Sequence, residues 1–195
     1  MNKITNQSFS ICAIDASTNN IAFAFYVDKK LDRHGKINLQ GNDIYQKTID
    51  ATAKTKAFFN QYKNLNAVVI EHTVFMNSPK TAADLALVQG AIIGGIGLAG
   101  IKIIGRVSPI TWQSFLGNKK LTKEEQLQIR SFNPDKSVSW YKAYERDFRK
   151  KRTIKLLEII YDKKILDYDV ADAAGIGHWA VNNWEKAVKF DKDEQ

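Results

Sequence analysis

Short apolar runs alternate with long polar stretches along the chain, and the period of each run predicts an element. "FSICAID" at 9–15 is continuously apolar until Asp15, the pattern of a buried strand. After a turn rich in Ser, Thr and Asn, "IAFAFYV" at 21–27 predicts a second strand, and the polar "DKKLDRHGK" leads to a third at 36–40. Ile44, Ile49, Ala53, Ala57 and Phe58 have helical spacing over 43–63, and the β-branched "NAVVIEH" at 66–72 predicts a fourth strand that ends near Glu71. Residues 81–101 are too long and too Ala-rich for a strand and predict a helix capped by Thr81. "KIIGRVSP" at 102–109 is a fifth strand, and "ITWQSFLG" a short helix. Residues 118–148 show no period and read as an irregular, Lys-rich insertion with interleaved aromatics, followed by a helix over about 145–162. A last helix begins near Asp169, and the tail 189–195 is expected to fray.

This order predicts one α/β domain over 1–195, built on a five-stranded mixed sheet flanked by helices. The first three strands form an antiparallel meander, and the later ones join through helical crossovers. A membrane span is the rival reading of 81–101, helped by the Gly90-to-Gly94 spacing. Asp84 and Gln89 interrupt it, and its unbroken apolar part is shorter than the roughly 20 residues a span needs. A helix packed against the sheet and a partner subunit is the expectation, with no membrane contact.

Charge adds a partner class. The net charge is +8, and residues 117–155 alone hold 12 basic and 5 acidic side chains, whereas 156–195 hold 5 and 9. Positive charge gathered in one segment, with carboxylates kept apart from it, fits a nucleic-acid surface around an anionic centre. The single cysteine, Cys12, sits in a predicted buried strand, and the N-terminus lacks the apolar core of a signal peptide. Both predict an intracellular, cytoplasmic protein.

The candidate chemistry lies in the acids. "DYDVADAAGIGHW" places Asp167, Asp169 and Asp172 within six residues, where one Asp would suffice to cap a helix. Asp169 and Asp172 are three apart and share a helix face, so they repel unless a cation sits between them. Asp15 and Glu71 end the two best-defined buried strands, so all four acids can converge if those strands are neighbours. Such hard oxygen donors suit Mg²⁺ or Mn²⁺, whereas one Cys and three scattered His give no zinc spacing. Two such ions can drive hydrolysis of a phosphodiester. His72 and His178 are candidate proton carriers, though a lone histidine is more often a packing residue.

At these residues the chain resembles the RuvC-type Holliday junction resolvases of the ribonuclease H-like superfamily. "AIDASTNNIAFAF" is similar to that family's first motif, "VVIEHTVFMNSPKTAADLALVQGAI" to its Glu-bearing strand, "VFM" loop and glycine-bearing helix, and "DVADAAGIGHWA" to its last. The resemblance implies a ribonuclease H-like fold and a homodimer, joined through helix 81–101, that nicks branched four-way DNA symmetrically with two Mg²⁺ (or Mn²⁺) per site and no small-molecule cofactor. It implies Asp15, Glu71, Asp169 and Asp172 as catalytic metal ligands, Phe75 as an aromatic at the junction crossover, and Lys151 or its neighbour Lys150 as a basic residue on the penultimate helix. Arg152 and Lys155 join them as expected DNA contacts.

Ala16 and Ser17 stand where cellular members have Pro and Gly, Ala22 stands where a second Gly is usual, and Glu71 and Phe75 are one residue further apart than the family pattern. These departures resemble phage or otherwise divergent members. Three other functions fit parts of the sequence: a branched nucleic-acid binding module without catalysis, an RNA-processing relative, and an actin-like nucleotide binder suggested by "DAST". The last would need a second, glycine-rich phosphate loop and about twice the length.

Overall fold

A computed structural model describes residues 8–62, 64–72 and 78–188. Five strands, β1 (Ser10–Ala16), β2 (Asn20–Val27), β3 (Lys30–Asn38), β4 (Ala67–Glu71) and β5 (Ile104–Val107), form one sheet in the order β3-β2-β1-β4-β5. β1–β2 and β2–β3 pair antiparallel, while β1–β4 and β4–β5 pair parallel. This is the mixed sheet of a ribonuclease H-like fold. Helices α1 (Ile44–Phe59) and α2 (Pro79–Leu98) carry the chain to β4 and β5. Then come α3 (Pro109–Phe115), α4 (Lys123–Phe132), α5 (Val138–Tyr161), α6 (Tyr168–Asn182) and α7 (Trp184–Val188).

The strict alternation of side chains along a strand divides the core into two layers. Cys12, Ile14, Val68 and Ile70 pack with Ala51 and Phe59 of α1 and Val88, Ile92 and Ile96 of α2. Ile11, Ala13, Ala67 and Val69 point the other way, toward α6 and Trp112 of α3. Asp15 and Glu71 continue the second series, so both carboxylates fall on the α6 face. By length and composition alone α2 would pass for a membrane span. Here one side of it lies along α1, and the other exposes Leu87, Ile93 and Leu98 beside Gly90, Gly94 and Gly97, whose missing side chains would meet nothing within 4 Å.

Several boundaries differ from the sequence expectation. Ser78, not Thr81, caps α2, with Pro79 in its first turn. Residues 118–148 are largely helical: they hold α4, opened by a Thr122–Glu125 capping box, and the first half of α5, capped by Ser137. Only Thr153 and Leu157 of the 24-residue α5 are buried, and none of α4 is, so neither stretch carries an apolar period. On the exposed part of α5 the rings of Trp140 and Tyr144 stack at 5.1 Å.

Candidate functional site

Strand register places the site. Asp15 pairs with Ala22, and Ala22 with Lys36, so these three form one row across β1, β2 and β3. On the other side, Ile14 pairs with Ile70 in parallel, which makes Glu71 the next residue alongside Asp15. Glu71 is itself level with Val107. One row across the sheet thus carries a lysine and two acids on a single face. Ala22, fully buried, leaves the space between Lys36 and Asp15 open to whatever crosses above.

Helix α6 crosses above it. Two glycines let the helix settle onto the sheet: a Cβ at Gly177 would stand 2.2 Å from Tyr26 Cε2, and one at Gly175 would stand 2.5 Å from Trp112 Cζ3. The Tyr26 hydroxyl then donates to the Ala174 carbonyl at 2.6 Å, pinning helix to strand. This close approach brings the first turn of α6 over the sheet row. Asp167 is its cap, with Oδ1 accepting from the backbone N–H groups of Asp169 (2.9 Å) and Val170 (3.1 Å). Asp169, in that turn, and Asp172, just beyond it, face the sheet acids.

The acids are close enough to repel. Burial pushes the Asp15 carboxyl well above its ordinary range, and the charges of Asp172, Glu71 and Asp169 push it further. Burial likewise raises Asp172 to about 7, with Glu71 and Asp169 adding to the shift and Lys150 opposing it. Glu71 is raised by burial, against the hydrogen bond that its Oε2 accepts from the Trp112 indole N–H at 2.6 Å. Burial works against ionisation of Asp167, but Lys36 and the backbone N–H groups of Val170 and Asp169 together hold that carboxyl below the usual range.

Two lysines answer this negative charge. Lys36 Nζ lies 2.6 Å from Asp167 Oδ2 and 2.9 Å from Asp169 Oδ2. Lys150 Nζ is 3.6 Å from Asp169 Oδ1 and 3.9 Å from Asp172 Oδ2. The donor chemistry, carboxylate oxygens alone under mutual repulsion, fits a hard divalent ion. In this arrangement the side chains do not form a ligand cage: among the described residues, no group of three or more His, Cys, Asp or Glu is placed to hold a metal ion. The ammonium groups supply the countercharge instead.

The remaining expected residues fall elsewhere. Phe75 lies outside the described residues. Lys151 points away from the acids and pairs with Asp147 at 2.8 Å, Arg152 ties α5 to Glu125 of α4 at 2.9 Å, and Lys155 is exposed. Of the four basic residues expected to meet DNA, only Lys150 reaches the acid cluster. His178 bonds Tyr161 (Nδ1 to hydroxyl, 2.6 Å) in a half-buried position, and His72 is exposed at the end of β4.

Lys36 and Trp112 were not expected from the sequence. Trp112 is 1 % exposed and holds Glu71 from one side, while Gln89 of α2 donates to the Glu71 backbone carbonyl at 3.0 Å. Trp112→Phe keeps the aromatic packing and removes the N–H. On the expectation that Glu71 holds a divalent ion, the variant should bind Mg²⁺ about 10- to 100-fold more weakly, the usual cost of losing a group that orients a ligand. An unchanged Mg²⁺ affinity would show that Trp112 only packs.

No protein-family model and no curated protein matches the sequence. Solved structures do match. RuvC of Thermus thermophilus in complex with a Holliday junction substrate aligns with a TM-score of 0.63 at 13 % identity, covering 93 % of this chain and 98 % of that one. A second structure of Thermus thermophilus RuvC aligns with the same score and identity over 93 % and 99 %. The two chains share one fold with little sequence in common.

Proposed function

We propose that the protein is a divalent-metal-dependent endodeoxyribonuclease that resolves four-way and related branched DNA by paired nicks. One observation carries this reading. Four carboxylates from three separated stretches of chain, Asp15, Glu71, Asp169 and Asp172, meet at the ends of β1 and β4 and repel one another there. The fold shared with Thermus thermophilus RuvC, whose structure holds a Holliday junction substrate, supports the substrate class.

In this proposal the four acids hold Mg²⁺ or Mn²⁺, two ions per site. The metal, when bound, activates water and neutralises the charge that develops on the phosphodiester. The chain's own residues do the rest. Trp112 orients Glu71, Asp167 fixes the first turn of α6, and Lys36 and Lys150 hold the acids in place until a cation replaces their charge. Lys150 is then left beside the cluster to meet the phosphate backbone. Two copies related by a two-fold axis would set two sites against a junction of matching symmetry. The exposed apolar face of α2, with Leu87, Ile93 and Leu98 around the open glycines, is the proposed dimer surface. An intracellular location goes with this reading.

The test is cleavage of synthetic four-way, three-way, flap and linear DNA with and without Mg²⁺. Metal-dependent nicking of the four-way junction on two strands, with linear DNA spared, is the expected result. The lysine ion pairs favour a second reading, a branched-DNA binding module that does not cut. Tight junction binding with no nicking in Mg²⁺ or Mn²⁺ would select it.

Stability gives a separate test. Because Asp172 binds its proton more tightly in the folded chain than in the unfolded one, protonation stabilises the fold at low pH. That contribution fades as pH rises from 3.8 to about 7. In the absence of metal, the Tm of the wild type should therefore fall relative to Asp172→Asn across this window. Mg²⁺ binds the ionised site of the folded state only, so it should raise the wild-type Tm more at pH 8 than at pH 5. An equal rise at both would mean that the ion binds somewhere else.

A further inference from the structure

Beside the acid cluster lies a basic cavity in which only Lys150 and Asp172 have a role above. Lys142, Arg146, Arg149 and Lys150 of α5 line a space of about 220 Å³, and Asp172 belongs to its wall. Four cations face two carboxylates there, since Glu145 is the only other acid among the lining residues. Among the described residues the side chains of Lys142 and Arg146 have no hydrogen bond or ion pair.

The back of this cavity is held in a fixed geometry. Arg149 Nη2 donates to Gln113 Oε1 at 2.6 Å and to the Asn118 carbonyl at 3.3 Å. Asn118 is 2 % exposed, and its amide donates to Thr153 Oγ1 at 2.6 Å and to the Arg149 carbonyl at 2.9 Å. Two buried polar atoms within this network have no partner, Asn118 Oδ1 and Arg149 Nε. A buried donor left unpaired is costly, and a braced guanidinium with an unfilled Nε beside a cavity is a seat for an oxyanion. The sequence accounts for the position of the charge: the cavity lies within the stretch 117–155, which carries a net +7.

We infer that this cavity seats a phosphate of the DNA backbone, next along the strand from the phosphodiester presented to the acids. The identity of the ligand rests on the proposed nuclease reading. Lys150 and Asp172 belong both to the cavity and to the acid cluster, so a ligand in one is continuous with a ligand in the other. A chain of evenly spaced phosphates suits both places. One phosphate meets carboxylates that need a bridging cation, and its neighbour meets bare guanidinium and ammonium groups. The cavity would then set which bond of the strand lies over the acids.

The experiment uses four-way junctions carrying one uncharged methylphosphonate, walked through the linkages that flank the crossover. Binding is measured in Ca²⁺ for the wild type and for the double variant Lys142→Ala, Arg146→Ala. Both side chains are exposed, so an unchanged Tm should confirm that the variant is folded. At one linkage the wild type should lose about tenfold in affinity, the worth of a charged hydrogen-bonded contact. The same modification should cost the variant less than about twofold, since its contact is already gone. The slope of log affinity against log salt should fall by about one, as for a single phosphate contact. A variant weakened equally at every linkage, or not weakened at all, would overturn the inference, leaving these cations as general attraction or as bystanders. Failure of the nuclease reading shows separately. A wild type that binds junctions without cutting them still reports on the cavity through the scan, whereas one that binds no DNA sinks both.

Discussion

Asp15→Asn is expected to bind a four-way junction as tightly as the wild type and to cut it at least about a thousandfold more slowly. The amide fills the same volume and takes the same place in the sheet row, between Ala22 and Glu71. It lacks the charge that a divalent ion needs. Metal stabilisation of a phosphodiester transition state amounts to several kcal/mol, and about 4 kcal/mol corresponds to a thousandfold in rate. The same change has a second consequence, of opposite sign. Burial and three neighbouring acids make ionised Asp15 costly in the metal-free fold. The neutral amide removes that cost, so metal-free Asp15→Asn should melt at a higher temperature than the wild type at pH 8. Loss of cutting together with gain of stability separates a ligand from a structural residue. Wild-type cleavage by this variant would remove Asp15 from the site.

Gly177→Ala is expected to have the largest effect on stability, because it forces α6 away from the sheet. The added methyl would lie 2.2 Å and 2.6 Å from two ring carbons of Tyr26, and 3.1 Å from the Ala13 Cβ. Tyr26 is fully buried and fixed by its bond to the Ala174 carbonyl, so its ring has nowhere to go. Overpacking of this kind costs about 1–3 kcal/mol and often more where the neighbours are rigid. Urea unfolding measures it directly. The change should also slow cleavage in the variant that remains folded, since Asp169 and Asp172 ride on the displaced helix. An exposed control, Gly90→Ala, meets nothing within 4 Å and should leave the monomer's stability unchanged or slightly higher. Equal effects at the two glycines would refute the close-packing argument.

The parts of this fold that the sequence showed most clearly are those that pack on both sides. β1 and β4 are central, so their apolar runs are unbroken and each carboxylate that ends one is conspicuous. β3 is an edge strand with mostly exposed or half-buried residues, and only its far end gave a strand signal. α4 and the first half of α5 contact little of the core, so the apolar period that marks a helix is missing there. Their capping residues were nevertheless present: Thr122 with Glu125, and Ser137. The site divides in the same way. Its acids could be named because a carboxylate closing an apolar run is unusual. Lys36 could not, because its place depends on two successive strand registers, Asp15 to Ala22 and Ala22 to Lys36, that no local pattern encodes. Trp112 looks like any core aromatic until its N–H is seen to reach Glu71. Lys150 and Lys151 differ only in rotation about α5, which a helix with two buried residues in 24 leaves undetermined until it is packed.

Asp15, Glu71, Asp169 and Asp172 are proposed to act as one metal site, and a crystal soaked in Mn²⁺ measures this without reference to activity. Anomalous scattering should place manganese among the four carboxylates, with Lys36 or Lys150 moved off Asp169. A crystal in which manganese lies elsewhere, or in which both lysines keep their bonds to Asp169 at saturating Mn²⁺, would contradict it.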